Sequence, residues 1–145
     1  MNTRNESYTA SHVFDSRIPD DFFNKNNKAI SIVQHFKGWT IKTDKAIFNP
    51  EAITMMDFRL KDGNQTTFTY VLPYSETEAL IEFTYFTKDV VEDAVYDSFL
   101  KGYISEQLNT SNYIITEIEN GQIPMTNFPF EKYNTKHITK IGTAG

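Results

Sequence analysis

Cysteine is absent from the sequence, so neither a disulfide framework nor a thiolate zinc site is possible. This composition fits the reducing cytoplasm, where we expect the protein to be. Lysine and arginine form no cluster and the net charge at pH 7 is −5, so we expect no nucleic-acid partner. No apolar run approaches the roughly 20 residues that a membrane-spanning helix needs, and the opening stretch MNTRNESYTA is polar, unlike a secretory signal peptide. Any membrane contact is therefore expected to be peripheral.

Several recurrent functional motifs are absent as well. The six glycines are too scattered to form the G-x-G-x-x-G turn that binds a dinucleotide. No G-x-S-x-G or Ser-His-Asp pattern indicates acyl transfer. The three histidines, His12, His35 and His137, lie far apart and have no clustered carboxylate, so we expect no metal site.

The sequence does contain a series of β-type segments. Its 145 residues, 39% hydrophobic and 23% charged, are enough for one domain with a hydrophobic core. A short strand is predicted around residues 12–14 and ends before Pro19, because proline lacks a backbone donor. The β-branched and aromatic residues of the stretch 29–43 predict one long strand, bent at Gly38.

The next segments predict an antiparallel meander. Residues 54–73 form a hairpin in this interpretation, because an Asp-Gly turn separates two β-type runs. In the first run Met56, Phe58 and Leu60 alternate with charged residues, which indicates a half-buried strand. A further short turn leads into the strand ALIEFTYF, residues 79–86.

The hydrophobic period changes at Thr87 and predicts one amphipathic helix over residues 89–108. Asp89 and Glu92 have the spacing of a capping box. After the helix, residues 112–125 predict two strand pieces around the turn signal Asn120-Gly121, and a last strand precedes the small-residue stretch GTAG. The predicted fold is α+β: an antiparallel β-sheet of about five or six strands with one helix on a face.

One residue in the strand ALIEFTYF differs in character from its apolar neighbours. Side chains alternate along a strand, so Glu82 shares its face with Leu80 and Phe86. Both faces of this strand are mostly apolar. A carboxyl group in such surroundings has its charged form disfavoured by desolvation, which raises its pKa.

Seven short motifs, taken in order, resemble the flavin-dependent lycopene cyclases of bacteria and plants. They are VFDSR, QHFKGW, MMDFR, FTYVLPYS, ALIEFT, IPM and IGTAG, and the resemblance runs from about residue 8 to residue 145. Family members begin with a dinucleotide-binding unit whose Gly-rich turn holds the flavin, and this chain has none. The resemblance therefore implies an internal fragment of such an enzyme.

The resemblance also implies a domain organisation, an activity and partners. Residues 1–29 would be the end of a flavin-domain strand and a linker, 30–136 the substrate-binding sheet with its helix, and 137–145 a strand and turn returning to the flavin domain. The whole enzyme would convert lycopene, or a related acyclic carotenoid, to β-carotene by acid-catalysed isomerisation without net redox change. It would use bound reduced FAD, with NAD(P)H as the reductant, and would contact the membrane peripherally. We expect the isolated fragment to be inactive and to bind no cofactor tightly.

Residue roles follow from the same resemblance. The family motif F-L-E-E-T matches LIEFT, which places Glu82 at the first glutamate, the general acid, and Phe83 at the second. Asp57 is a second catalytic candidate. The implied substrate contacts are Tyr70, Tyr74 and Phe83. The implied cofactor contacts are Asp15, Gly142, Thr143, Ala144 and Gly145.

Each role has a structural alternative. Glu82 could be a solvated strand residue, Asp57 could pair with Arg59, and Asp15 could cap its own turn. Tyr70 and Tyr74 could be core and turn residues. For the whole chain, the alternative is a self-contained, non-catalytic module that binds an apolar ligand between sheet and helix.

Overall fold

The computed structural model describes residues 7–24 and 28–144. These residues divide into two compact units, one made of the described residues up to Ser31 and from Thr126 onward, the other of Ile32–Met125. The strands are β1 (Val13–Asp15), β2 (Ser31–Thr43), β3 (Thr54–Asp57), β4 (Thr66–Pro73), β5 (Glu78–Thr87), β6 (Tyr113–Thr126) and β7 (Ile138–Lys140), and the helix α1 is Asp93–Glu106. Short 3-10 helices cover Asp20–Phe23, Phe130–Tyr133 and Gly142–Ala144.

The larger unit is a five-stranded antiparallel sheet with one helix, which confirms the predicted α+β fold. The strand order is β3-β4-β5-β2-β6. Strands β3, β4 and β5 form the predicted antiparallel meander. Strand β2 lies on the other side of β5, and the two strands pair continuously from Val33 opposite Thr87 to Lys42 opposite Glu78.

Helix α1 packs on one face of this sheet, as predicted, and the apolar residues between them form the core. The side chains that face the helix are the alternate residues of the central strands, as the strand period of two requires. Members of the core without exposed surface are Ile41, Ala79, Ile81, Phe83, Tyr85, Leu100 and Ile104.

The start of α1 differs from its prediction. The helix begins at Asp93, and its N-cap residue Glu92 makes no side-chain capping bond, so the predicted capping box is wrong. Asp89 lies before the helix, where its carbonyl accepts a 2.6 Å hydrogen bond from the Thr87 hydroxyl. The first turn is held instead by the buried Lys37, whose ammonium group lies 2.7 Å from Asp97 and 3.2 Å from Asp93.

Strand β3 is shorter than predicted and its buried face is different. Met56 has a positive φ of 54°, and the pairing with β4 shifts register between Thr54 and Asp57. This irregularity leaves Met56 and Phe58 exposed and turns the side chain of Asp57 inward. The prediction that Met56 and Phe58 lie on the buried face is therefore wrong, because a β-bulge reverses the alternation.

Strand β6 is one continuous strand, so the prediction of two pieces around Asn120-Gly121 is wrong. Gly121 serves close packing instead of a turn: a Cβ atom at this position would lie 2.5 Å from the ring of Phe36. Only glycine lets this strand pass so near an aromatic ring.

The smaller unit contains the parallel pair β1 and β7, with Val13 opposite Ile138 and Asp15 opposite Lys140. These strands lie close to the two short strands predicted near the ends of the sequence. No helix in the described ranges 7–24 and 28–144 is long and apolar enough to cross a membrane.

The packing at Gly121 predicts opposite effects for two glycine substitutions. Gly121→Ala places a methyl group against the Phe36 ring and is expected to lower the free energy of unfolding by about 1–3 kcal/mol. Gly102→Ala is the matched control: nothing lies within 4 Å of its Cβ position, and it sits inside α1, so the alanine is expected to add about 0.5–1 kcal/mol. Urea unfolding measures both changes in stability. If both substitutions changed the free energy of unfolding in the same direction by the same amount, the close packing at Gly121 would not explain the result.

His35 predicts an acid-sensitive fold. It is buried beneath α1, its Nδ1 bonded to the Tyr96 hydroxyl and its Nε2 2.6 Å from the Thr87 hydroxyl. Burial lowers the pKa of His35 in the folded protein below its ordinary value of 6.5. At pH values between the lowered pKa and 6.5, the unfolded chain binds more protons than the folded one. Stability is therefore complete above pH 6.5 and falls as the pH drops below it.

Urea unfolding at pH 7.5 and 5.5 measures this loss. His35→Gln should reduce the difference between the two pH values, whereas His137→Gln, at an exposed histidine, should leave it as in the wild type. An unchanged difference in His35→Gln would assign the acid sensitivity to other groups.

Candidate functional site

Glu82 lies in the middle of the sheet on its central strand. Its register partners are Gly38 on β2 and Tyr70 on β4. Because Ile81 and Phe83 belong to the core under α1, alternation directs Glu82 to the opposite face. We call this surface, which is shared with Phe68, Tyr70, Leu80, Thr84 and Phe86, the Glu82 face.

The Glu82 face is largely apolar and aromatic around the carboxyl group. Phe68 is buried, with its ring 5.1 Å from that of Tyr70 and 5.7 Å from that of Phe86. Leu80 and Thr84, the neighbours of Glu82 on this face, are buried too. Glu82 itself is half-buried. The surroundings therefore resemble those expected from the sequence, with the carboxyl group in partly desolvated, aromatic company.

The electrostatics of Glu82 favour its protonated form. Burial raises the pKa of Glu82 above its usual range, because desolvation penalises the charged carboxylate. The Thr84 hydroxyl, which donates a 2.8 Å hydrogen bond to Glu82 Oε1, opposes this effect. The negative charge of the Glu119 carboxylate also raises the pKa of Glu82.

A missing side chain on β2 lets the two carboxyl groups approach. A Cβ atom at Gly38 would lie 2.8 Å from Leu80 Cδ1, 3.0 Å from Glu119 Cγ and 3.2 Å from Glu119 Oε1. The glutamate side chain from β6 therefore occupies the space above Gly38, directly beside Glu82. The sequence predicted a bend at Gly38. In the structure, glycine is required here because a larger side chain would collide with Leu80 and Glu119.

Glu119 was not identified from the sequence. Its position next to Asn120-Gly121 was interpreted as a turn, which would have placed it on the rim of the sheet. The sequence does show an acidic residue two positions before a glycine within a β-type run. This pattern identifies Glu119 only if β6 is known to pair with β2 beside Gly38, which is a contact between residues distant in sequence.

Asp57 lies in a structural ion pair instead of beside Glu82. Its carboxylate accepts hydrogen bonds from Arg59, with Nε 2.9 Å away, and from the Tyr103 hydroxyl of α1 at 2.7 Å. Arg59 lowers the pKa of Asp57 to about 2, with Tyr103 contributing. These bonds connect β3 to the helix, on the face of the sheet away from Glu82. A catalytic role for Asp57 stays a prediction.

The three predicted substrate contacts occupy different places. Tyr70 lies opposite Glu82 on the Glu82 face. Phe83 is fully buried on the helix side, its ring stacked 4.6 Å from that of Phe99. Tyr74 is exposed after β4, where its amide bonds the Glu78 carbonyl. Of the three, the structure brings Tyr70 to the candidate acid.

The space between sheet and helix, where the alternative interpretation placed an apolar ligand, holds tightly packed side chains. Tyr85 meets Phe83, Tyr96 and Phe99 edge to face, with ring centroids 5.3–6.4 Å apart. Tyr85 also donates a 3.0 Å hydrogen bond to Asp62. This packing favours a structural core there over a ligand site.

The predicted cofactor contacts lie in the smaller unit. Asp15 is buried, and its carboxylate binds Arg17 Nε at 2.8 Å and Lys140 Nζ at 3.1 Å. The Arg17 guanidinium holds the pKa of Asp15 far below its usual range. Of the terminal stretch, Gly142 has a φ of 64° and nothing lies within 4 Å of its Cβ position, Thr143 is exposed, and Ala144 is buried. Gly145 lies outside the described residues.

Comparison with known proteins identifies a matching family. The family model described as "Lycopene cyclase protein" matches residues 3–145, nearly the whole chain. Neither a curated protein nor a solved structure matches significantly.

The raised pKa predicts that Glu82 costs stability at neutral pH. Above the ordinary glutamate value of 4.5 the unfolded chain loses this proton before the folded one does, so the free energy of unfolding falls as the pH rises until the folded protein also ionises. Glu82→Gln should therefore be more stable than the wild type at pH 7.5, and the advantage should shrink at pH 4.

Thermal unfolding at the two pH values measures this difference. The control is Glu117→Gln on β6, which removes the same charge from an exposed residue. Greater stability of the wild type than of Glu82→Gln at pH 7.5 would mean that the ionised carboxylate is well solvated and held by favourable contacts.

Proposed function

The chain belongs to the lycopene cyclase family, and we propose that it carries the general acid of a reaction that converts lycopene to β-carotene. The observation that supports this most is the position of Glu82: a half-buried carboxyl group on an apolar, aromatic sheet face, with its pKa raised by desolvation. A hydrocarbon substrate offers no hydrogen-bonding groups, so an apolar face with one proton donor suits it.

The chemistry requires one proton to be donated and one to be recovered. Glu82 transfers its proton to a terminal C=C bond of lycopene, which gives a tertiary carbocation. A neighbouring double bond attacks this cation and closes the ring, and the cation moves to a ring carbon. Loss of an adjacent proton to the Glu82 carboxylate forms the ring double bond and restores the acid. Substrate and product are isomers, and no electron is transferred overall.

Aromatic rings on the Glu82 face stabilise the cation in this proposal. Tyr70 lies directly opposite Glu82, and Phe68 and Phe86 surround the pair. The negative face of an aromatic ring attracts a cation by about 0.5–2 kcal/mol, and more strongly where water is excluded. Tyr70 is therefore the residue we propose to contact the substrate.

The described residues fit a small part of a flavin cofactor. The backbone at Gly142 is open, because no atom lies within 4 Å of its Cβ position, and small residues let a ligand approach a backbone closely. The carboxylate of Asp15 is held by Arg17 and Lys140, so Asp15 would act through those cations. We propose that Gly142 and Thr143 would contact bound FAD, which in its reduced form would supply negative charge.

The proposed substrate is lycopene or a related acyclic carotenoid, which resides in a membrane, so the protein would work in peripheral contact with one. NAD(P)H would keep the flavin reduced. We propose that this activity belongs to the enzyme in its complete form, of which this chain supplies the sheet and the acid.

Pigment analysis in bacteria that accumulate lycopene tests this function. The chain, joined to the flanking sequence of a related lycopene cyclase, should form β-carotene, and Glu82→Gln should lower the rate by about 10²–10⁴, the contribution of a positioned general acid. Glu78→Gln is the matched control, because it lies on the same strand and face, opposite Lys42. Cyclisation by Glu82→Gln at the parental rate would exclude Glu82 as the acid.

A further inference from the structure

We propose that Glu119 is a positioning residue for Glu82: across the gap that Gly38 leaves in β2, its carboxylate binds the Glu82 carboxyl and keeps it protonated until the substrate takes the proton. This inference rests on the proposed function, because it concerns the state of the same acid. It adds a second carboxyl group that none of the seven family-like motifs contains.

The geometry brings the two side chains together from different strands. Glu82 rises from β5 opposite Gly38, and facing residues of an antiparallel pair have Cβ positions about 4.5–5.5 Å apart. Glu119 reaches the same place from β6, with Cγ 3.0 Å and Oε1 3.2 Å from where a Cβ of residue 38 would be. Any larger residue at position 38 would occupy the space that Glu119 fills.

The hydrogen bond to Thr84 and the burial of Glu82 indicate which carboxyl group of the pair carries the proton. The Thr84 hydroxyl donates to Glu82 Oε1 at 2.8 Å, so this oxygen acts as an acceptor. Glu119 Oε1 lies 3.2 Å from where a Cβ of residue 38 would be, and Gly38 is the register partner of Glu82, so the two carboxyl groups share one site. They need one proton between them, because two carboxylates side by side repel each other. Burial of Glu82 favours its protonated form, since burial penalises charge.

The other charged groups lie farther along the strands or on the other face of the sheet. Glu117 is exposed two residues before Glu119 on the same strand, and Glu78 lies opposite Lys42 at the far end of the β2–β5 ladder. On the other face of β2, Lys37 is bound to the acidic residues of α1. From β4, the group facing Glu82 is the Tyr70 phenol. No cation therefore competes with the proton in the part of the sheet described around Glu82.

The arrangement also serves the second half of the reaction. Once Glu82 has given its proton to the C=C bond, two carboxylates stand side by side next to the cation. Their repulsion makes Glu82 a stronger base, and it recovers a proton from the carbon beside the ring cation. Glu119 thus favours return of the proton without contacting the hydrocarbon.

Titration of the Glu82 carboxyl carbon by ¹³C NMR tests the pairing directly. The chain is labelled with carboxyl-¹³C glutamate, and the Glu82 signal is assigned by its loss in Glu82→Gln. In Glu119→Gln the midpoint should move to lower pH, whereas Glu117→Gln, which removes an equal charge from the same strand, should leave it in place. An unchanged midpoint in Glu119→Gln, or an equal shift in both variants, would overturn the proposal.

Gly38→Ala separates position from charge. Its methyl group displaces Glu119 while every charge stays in place, so the Glu82 midpoint should again fall. A folded Gly38→Ala protein with the wild-type midpoint would contradict the role of the gap. If Gly38→Ala does not fold, the comparison of Glu119→Gln with Glu117→Gln decides the question. Both of these variants change exposed residues and are expected to fold.

The pH profile of the completed enzyme distinguishes failure of this inference from failure of the proposed function. In Glu119→Gln the alkaline limit of cyclisation should move to lower pH, with the rate on the acid side retained. Cyclisation that depends on Glu82 but keeps its profile in Glu119→Gln would overturn the pairing alone. A shifted NMR midpoint with no cyclisation by any completed chain would overturn the function alone.

Discussion

The long antiparallel ladder between β2 and β5 is the constraint on which the site depends. Its register places Gly38 opposite Glu82 and keeps alternate residues of both strands beneath α1. A shift of one residue would turn Glu82 into the core and Phe83 outward. Helix contacts from the buried Lys37 and His35 on the same strand hold this register. The position of Glu82 is therefore a consequence of how the core packs.

The two faces of the sheet differ in the side chains they carry and in what those side chains contact. The helix side buries aromatic and aliphatic side chains and uses its charged groups, including Asp57 with Arg59, to attach the helix and the β3 edge. Around Glu82 the opposite face is largely apolar and aromatic, and the carboxyls of Glu82 and Glu119 lie on it. A hydrocarbon can lie on this part of the face without leaving buried polar atoms unpaired, and burial raises the pKa of the Glu82 carboxyl because solvent stabilises its charge poorly.

The sequence was informative where a short pattern determines the structure. Strand alternation revealed Glu82 as a carboxyl among apolar neighbours, the four-residue period predicted α1, and the Asp-Gly turn predicted the β3–β4 hairpin. The errors share one cause, which is dependence on contacts distant in sequence. The bulge at Met56 reverses the exposure of β3, and Gly121 accommodates the Phe36 ring instead of making a turn. The position of Glu119 beside Glu82 depends on the packing of β6 against β2 at Gly38, which no local sequence pattern predicts.

In the proposed reaction Glu82 supplies the proton that starts ring closure. Mass spectrometry of the β-carotene formed in D₂O by the completed chain examines this step, because the acidic proton of a carboxyl group exchanges with solvent. We expect one deuterium for each ring closed, with this labelled product lost in Glu82→Gln. Ring-closed product without deuterium, or labelled product formed equally by Glu82→Gln, would contradict it.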